Sequence, residues 1–360
     1  MNKKRVFILG AGFSKQVGMP LATELTEPLL KGFKESNHKE MLDWYEWLEQ
    51  RINWMGNNRI NIEQVFDFAK YDIMAWRMKQ QQKSVRRNTS KALIKAEEIN
   101  DWLHWMERDL GSVIWSKQKE ARSKLEQITK FSQNLQIDDA VLTFNYDTLL
   151  EESLTEQQKS WYYGFELENR QGIKILKMHG SINWKIANKG ETNSSNGLLF
   201  PKIGNLDVTN CGTQELNEHG NKHELARVHD SKVDKFIITN SLVWDVICRV
   251  GIVGLGSHKP LDILPGSWEV WSNAMKALEE AEEIYVIGFS LSPFDSMARL
   301  HFAGVMLERV KKENLPKKII LIDPEACSLK HSFQSVFGTD TPITTCQQKA
   351  EQVNWSQLLN

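Results

Sequence analysis

The feature that most limits how this chain can fold is a set of short apolar runs that close on small or polar residues. They are Val6–Leu9, Ala140–Phe144, Lys174–Met178, Phe236–Thr239, Ile284–Gly288 and Ile319–Asp323. Runs of this length without polar alternation read as strands buried on both faces, which is the pattern of a parallel sheet. Helical spacing lies between them. Leu25, Leu29, Leu30 and Phe33 follow the first run, LLEESL follows the second, and Trp271, Ala274, Met275 and Leu278 precede the Ile284 run. Strands alternating with helices predict an α/β fold, a doubly wound and mostly parallel Rossmann-like sheet. With 360 residues the chain is read as one domain carrying a helical insertion at 41–130 and a smaller insertion or module at 186–264.

After the first run, Gly10-Ala11-Gly12 is expected to turn the backbone tightly at the strand end. Backbone N–H groups in such a turn, with the Ser14 hydroxyl beside them, favour an anion without needing a lysine. The spacing is G-x-G-x5-G through Gly10, Gly12 and Gly18, and Lys15 stands where a dehydrogenase has its third glycine. By itself the stretch fits a nucleotide loop and an ordinary strand-to-helix turn equally.

Charge and cysteine content narrow the classes. The 45 basic and 46 acidic residues leave a net charge of −1, so no global field draws the chain to nucleic acid or to an anionic membrane, and direct nucleic-acid binding is not expected. The run from Arg77 to Lys95 is basic without an acid, a pattern that suits a solvated face. The four cysteines, Cys211, Cys248, Cys327 and Cys346, form no C-x-x-C pair. Cys211, His219, His223 and His229 match no zinc pattern, and no metal is expected. With no apolar run near the ~18 residues of a membrane helix, the expectation is a cytoplasmic protein. Within the 41–130 block, Trp44, Trp47, Trp54, Trp76, Trp102, Trp105 and Trp115 recur among charged residues, as a helical core or an oligomer interface would place them.

Ligands of open α/β sheets sit outside the carboxyl ends of the strands. Here those ends read GAGFS (10–14), TFNYD (143–147), KMHGS (177–181) and GFSLS (288–292). Taken singly, Asn145 suits a helix cap, His179-Gly180 a turn and Ser290 a satisfied hydroxyl. Taken as a set, they are polar groups converging on one crevice, as a site requires. The following helix is expected to start at Ser292 as N-cap, with Pro293 at the first position and Asp295 closing an S-x-x-D capping box.

The ordered motifs GAGFSKQVGMP, TFNYD, the HG of KMHGSINW, IGFSLSPFD and LIDPEA resemble those of the Sir2 (sirtuin) superfamily, and more narrowly the bacterial SIR2-like NADase domains of antiphage defence systems. The resemblance implies NAD as substrate. It implies Asn145 and His179 as catalytic residues, with Asn145 against the nicotinamide ribose and His179 a base facing the ribose hydroxyls. It further implies that Gly10, Ala11, Gly12 and Ser14 bind the phosphates, Asp147 holds the carboxamide end, and Gly288, Ser290 and Asp323 lie along the adenosine half. Protein-deacetylating sirtuins carry a four-cysteine zinc module and an arginine after the G-x-P turn, whereas this chain has no cysteine pair and continues Pro20-Leu21-Ala22. The implied activity is therefore hydrolysis of NAD+ to nicotinamide and ADP-ribose, with a deacylase or ADP-ribosyltransferase, or a silent nucleotide-binding subunit, as alternatives. A homo-oligomer is expected, gated by a defence partner such as an ATPase, an argonaute-like protein or a nucleotide-sensing subunit.

Overall fold

The computed structural model describes residues 3–35, 39–54, 61–72, 106–107, 109–164, 171–187, 225–227, 248–253, 255–257, 267–339 and 341–359. Its centre is a seven-stranded sheet in the order β10-β9-β8-β1-β2-β4-β3. The strands are β1 (Arg5–Leu9), β2 (Ala140–Thr143), β3 (Trp161–Tyr163), β4 (Ile173–Lys177), β8 (Glu283–Ile287), β9 (Lys318–Ile322) and β10 (Ile343–Cys346). Every pairing in it is parallel. β1, β2 and β8 are buried along their whole length, which is why they read as unbroken apolar runs. From β1 the chain winds outward through β2 and β4, then returns to the other side of β1 through β8 and β9. The switch point of this doubly wound sheet therefore lies between β1 and β8.

Around the sheet lie α1 (Ala11–Lys15), α2 (Thr26–Glu35), α3 (Lys39–Trp54), α4 (Glu126–Ser132), α5 (Leu149–Glu156), α6 (Ser267–Glu280), α7 (Ser296–Lys311), α8 (Ala326–Phe337) and α9 (Trp355–Leu359). Residues 62–72 and 109–121 are also helical. On α6, Trp271, Ala274 and Leu278 are buried at the predicted spacing, and the Trp271 indole donates to Met178 O at 3.1 Å. The helical stretch 109–121 docks on α5: Gln118 Oε1 accepts the Thr148 N–H at 2.9 Å, and Arg122 Nε sits 2.8 Å from Glu152 Oε2. The tryptophans of the block divide, with Trp115 buried while Trp47 and Trp54 are exposed.

A second, antiparallel sheet has the order β6-β5-β7, from β5 (Gly180–Ala187), β6 (Leu225–Arg227) and β7 (Cys248–Ile252). Gly180, at φ +81°, turns the chain out of β4 into it. A Cβ there would sit 2.1 Å from Gly251 O, so only glycine fits. The edge strands β3 and β10 were not anticipated; they are three and four residues long, and β10 is only partly buried. The expected strand Phe236–Thr239, the basic run Arg77–Lys95, Trp76, Trp102, Trp105, Cys211, His219, His223 and His229 lie outside the described residues. Among the described residues no helix is long and apolar enough to cross a membrane.

Candidate active site

Two loops cross at the switch point. The chain does not make an open turn after β1; Gly10 is the N-cap of the one-turn helix α1. The Gly10 N–H donates to Ile287 O at 3.1 Å and the Gly12 N–H to Gly288 O at 2.9 Å, while Gly288 N–H donates to Ile322 O at 2.9 Å. These glycines are required by backbone packing on backbone. A Cβ on Gly10 would lie 2.5 Å from Gly288 O, and one on Gly288, itself at φ +58°, would lie 2.3 Å from Phe13 N. In this conformation the Gly10 and Gly12 N–H groups are engaged inside the protein, where the loops after β1 and β8 touch.

Among the described residues, a cleft opens at the ends of β1 and β2. The cleft, about 470 Å³ counting the solvent at its mouth, is lined by Ser14, Asn145, Tyr146 and Asp147, together with Ala11, and by an apolar wall that includes Met19, Pro20, Leu25, Ile114 and Leu255. Asn145 Nδ2 donates to Gly10 O at 2.9 Å and to Ser14 Oγ at 3.0 Å. With both amide hydrogens committed, the side chain can meet a ligand only as an acceptor, through Oδ1. Ser14 in turn bonds the Asp147 carboxylate, whose Oδ1 also accepts the Leu149 N–H at 3.2 Å. Thr148 is the N-cap of α5 and makes no side-chain cap, so Asp147, one residue earlier, receives the first helical N–H, and Asn145 lines the cleft.

Beneath this polar row is a buried ion pair. Lys177 Nζ lies 3.1 Å from Glu151 Oε1, both residues being nearly inaccessible, and the same ammonium donates to the Asp147 carbonyl. Burial holds the Asp147 carboxyl above its ordinary value; the Lys177 charge and the Ser14 hydrogen bond oppose that, and Glu151 adds to it. Lys177 and Glu151 were missed in the sequence reading, although a lysine closing a buried strand is itself a signal.

His179 sits behind the cleft wall. It is 4% exposed, its ring is edge-on to Phe144 at 5.0 Å, and it is not part of the cleft lining. Its Nε2 lies 3.4 Å from Asp295 Oδ1. The expected capping box is therefore overturned. The helix begins at Ser296 rather than Pro293, Asp295 makes no side-chain cap, and Ser292 Oγ accepts only the Phe294 N–H, at 3.2 Å. The carboxylate is turned inward to a buried histidine instead. Ser290 is exposed, and Asp323 is half-buried, raised by that burial, with Oδ1 accepting the Glu325 N–H at 2.8 Å. The structure thus brings Ala11, Ser14, Asn145 and Asp147 together, sets His179 one ring behind them, and leaves Ser290 and Asp323 beyond the glycine crossing. Among the described residues there is no metal-ligating cluster.

Residues 139–197 match a family model described as SIR2-like domain. That stretch carries β2, Asn145, Asp147, β4 and His179. No curated protein matches the chain. Among solved structures, Sir2Tm bound to a propionylated peptide aligns over 97% of this chain and 89% of its own, at 12% identity and a TM-score of 0.36, a similarity too low to bear on mechanism. The similarity to the SIR2-like domain thus covers about a sixth of the chain.

Proposed function

We propose that the chain cleaves NAD+ at the bond between nicotinamide and ribose, in the cleft at the ends of β1 and β2. The observation that carries this reading is Asn145, whose two amide hydrogens are spent on Gly10 O and Ser14 Oγ, so that it presents an acceptor to the cleft. Breaking the glycosidic bond builds oxocarbenium character at C1′, and an oriented acceptor there places the incoming oxygen without ionising. Asp147 takes the carboxamide end, and the apolar wall packs on the nicotinamide ring. The adenosine half reaches across the glycine crossing toward Ser290 and Asp323. His179 acts as the base for a ribose hydroxyl once the Phe144 ring turns aside, a role worth about 10²–10⁴-fold in rate.

Water is the acceptor favoured by the sequence, whose four cysteines include no pair spaced for a zinc module. The cellular role that accompanies this reading is NAD+ depletion as the effector of an antiphage system, in a homo-oligomer gated by a partner protein. The second reading is transfer to an acylated lysine; a propionylated peptide, the molecule bound in the Sir2Tm structure, is the probe for it. Purified protein is incubated with NAD+, with and without that peptide, and the products are separated by chromatography. Nicotinamide and ADP-ribose without peptide support hydrolysis. Turnover that needs the peptide supports deacylation. No nicotinamide under either condition with the candidate partner proteins also present, or full activity in Asn145→Ala, rejects the proposal.

A further inference from the structure

The segment between β8 and α7 breaks local rules in two places. Leu291, buried and not a glycine, is held at φ +53°, and the S-x-x-D signal that should open a helix at Pro293 is not obeyed. Backbone that gives up a favourable local arrangement does so where the surroundings impose another, and such places cluster at functional sites. The departure has a visible result: Asp295, 8% exposed, brings Oδ1 to 3.4 Å from Nε2 of the more deeply buried His179. The Arg299 guanidinium holds the bend by donating to Leu291 O at 3.2 Å, and the Asp295 N–H donates to Ser292 O at 2.9 Å.

We infer that Asp295 is a positioning residue for His179, forming a buried His–Asp dyad supplied by the loop after β8. This rests on the reading of His179 as the base of NAD+ cleavage. A carboxylate beside Nε2 favours the tautomer that carries its hydrogen there, fixes the ring plane, and stabilises the imidazolium formed when His179 takes a proton from a substrate hydroxyl. In that step the substrate O–H bond breaks, an N–H bond forms on His179, and the positive charge stays next to Asp295. A cap on α7 would serve the helix alone; turned inward, the same side chain serves the ring. The ring also faces Tyr146, 6.2 Å away between centroids. The Tyr146 hydroxyl is pushed well above its ordinary range by burial, with Asp295, Glu107 and Glu63 adding to the effect, so it stays neutral through the range in which histidine titrates.

The test compares wild type, Asp295→Asn, Asp295→Ser and the loop control Ser292→Ala. It reads kcat and KM for NAD+, melting temperature, and the His179 imidazole titration by NMR on histidine-labelled protein, assigned with His179→Gln. Both Asp295 variants are expected to lower kcat about tenfold to hundredfold, leave KM within about twofold, and move the His179 titration to lower pH, while Ser292→Ala matches wild type. An unmoved titration with wild-type kcat overturns the dyad. So does a loss of kcat that Ser292→Ala shares in proportion to its fall in melting temperature. If the wild type releases no nicotinamide, the functional reading fails, while the titration still decides whether Asp295 governs His179.

Discussion

The two ends of the parallel sheet each hold a buried ion pair, and they use it differently. At the amino end, Arg5 Nε and Nη2 meet both oxygens of Asp139 at 2.9 and 2.6 Å, and the remaining donors reach Leu359 O at 3.1 Å and Asn134 O at 3.0 Å. Asp139 accepts the Gln136 N–H as well, at 2.7 Å. Every partner there belongs to the protein. At the carboxyl end, Lys177 and Glu151 are equally buried and meet through one contact at 3.1 Å, and the row above them, Asp147, Ser14 and Asn145, faces a cleft. A closed pair fixes strands, whereas a pair under an opening sets the charge of what lies above it.

The largest effect is expected from breaking the closed end. Arg5→Leu strands the Asp139 carboxylate and should cost roughly 3–5 kcal/mol in urea unfolding, with KM for NAD+ unchanged in the folded fraction. A cost below about 1 kcal/mol would mean that Asp139 is neutral in the fold, which its burial-raised carboxyl would then explain. Next is the glycine crossing between cleft and β8. Gly288→Ala meets Phe13 N at 2.3 Å and should lose roughly 2–4 kcal/mol, whereas Gly18→Ala, at φ +95° with open space around it, should lose about 1. Equal losses would show that the crossing relaxes freely.

Smaller effects fall on the open end. Ser14→Ala removes the hydroxyl between Asn145 and Asp147 and should cost about 1 kcal/mol of stability, with about a tenfold fall in NAD+ turnover. Turnover at the wild-type level would separate the polar row from the chemistry. Asp147→Asn should change sign relative to the others. The folded-state pKa of Asp147 is raised, so its contribution to stability is full below the ordinary value of 3.8 and is lost as pH rises through the folded value. At pH 7 this side chain therefore costs stability, and the amide should melt higher than wild type while binding NAD+ more weakly, as isothermal calorimetry can measure. The difference in melting temperature should shrink as the pH is lowered toward 4.

Much of the molecule was legible because both-face burial leaves a local mark. β1, β2, β4, β8 and β9 each appear as apolar runs, and their polar ends named Ser14, Asn145, Asp147 and His179 as candidates. The edge strands left no such mark, since a strand of three or four residues with one partner carries little apolar signal. The S-x-x-D of α7 was legible and misread: a capping box is a local preference worth about 1 kcal/mol, and tertiary demand at a buried histidine outweighs it.

The chain by itself determined the strand runs, the class of fold and the residue types at the strand ends, since these depend on side-chain polarity at fixed spacing. Only the tertiary structure decided that the glycines serve a backbone crossing, that a cleft opens at the ends of β1 and β2, and that His179 answers to Asp295. Those facts depend on contacts between loops more than a hundred residues apart, and no local pattern encodes which distant carbonyl or carboxylate a turn will meet.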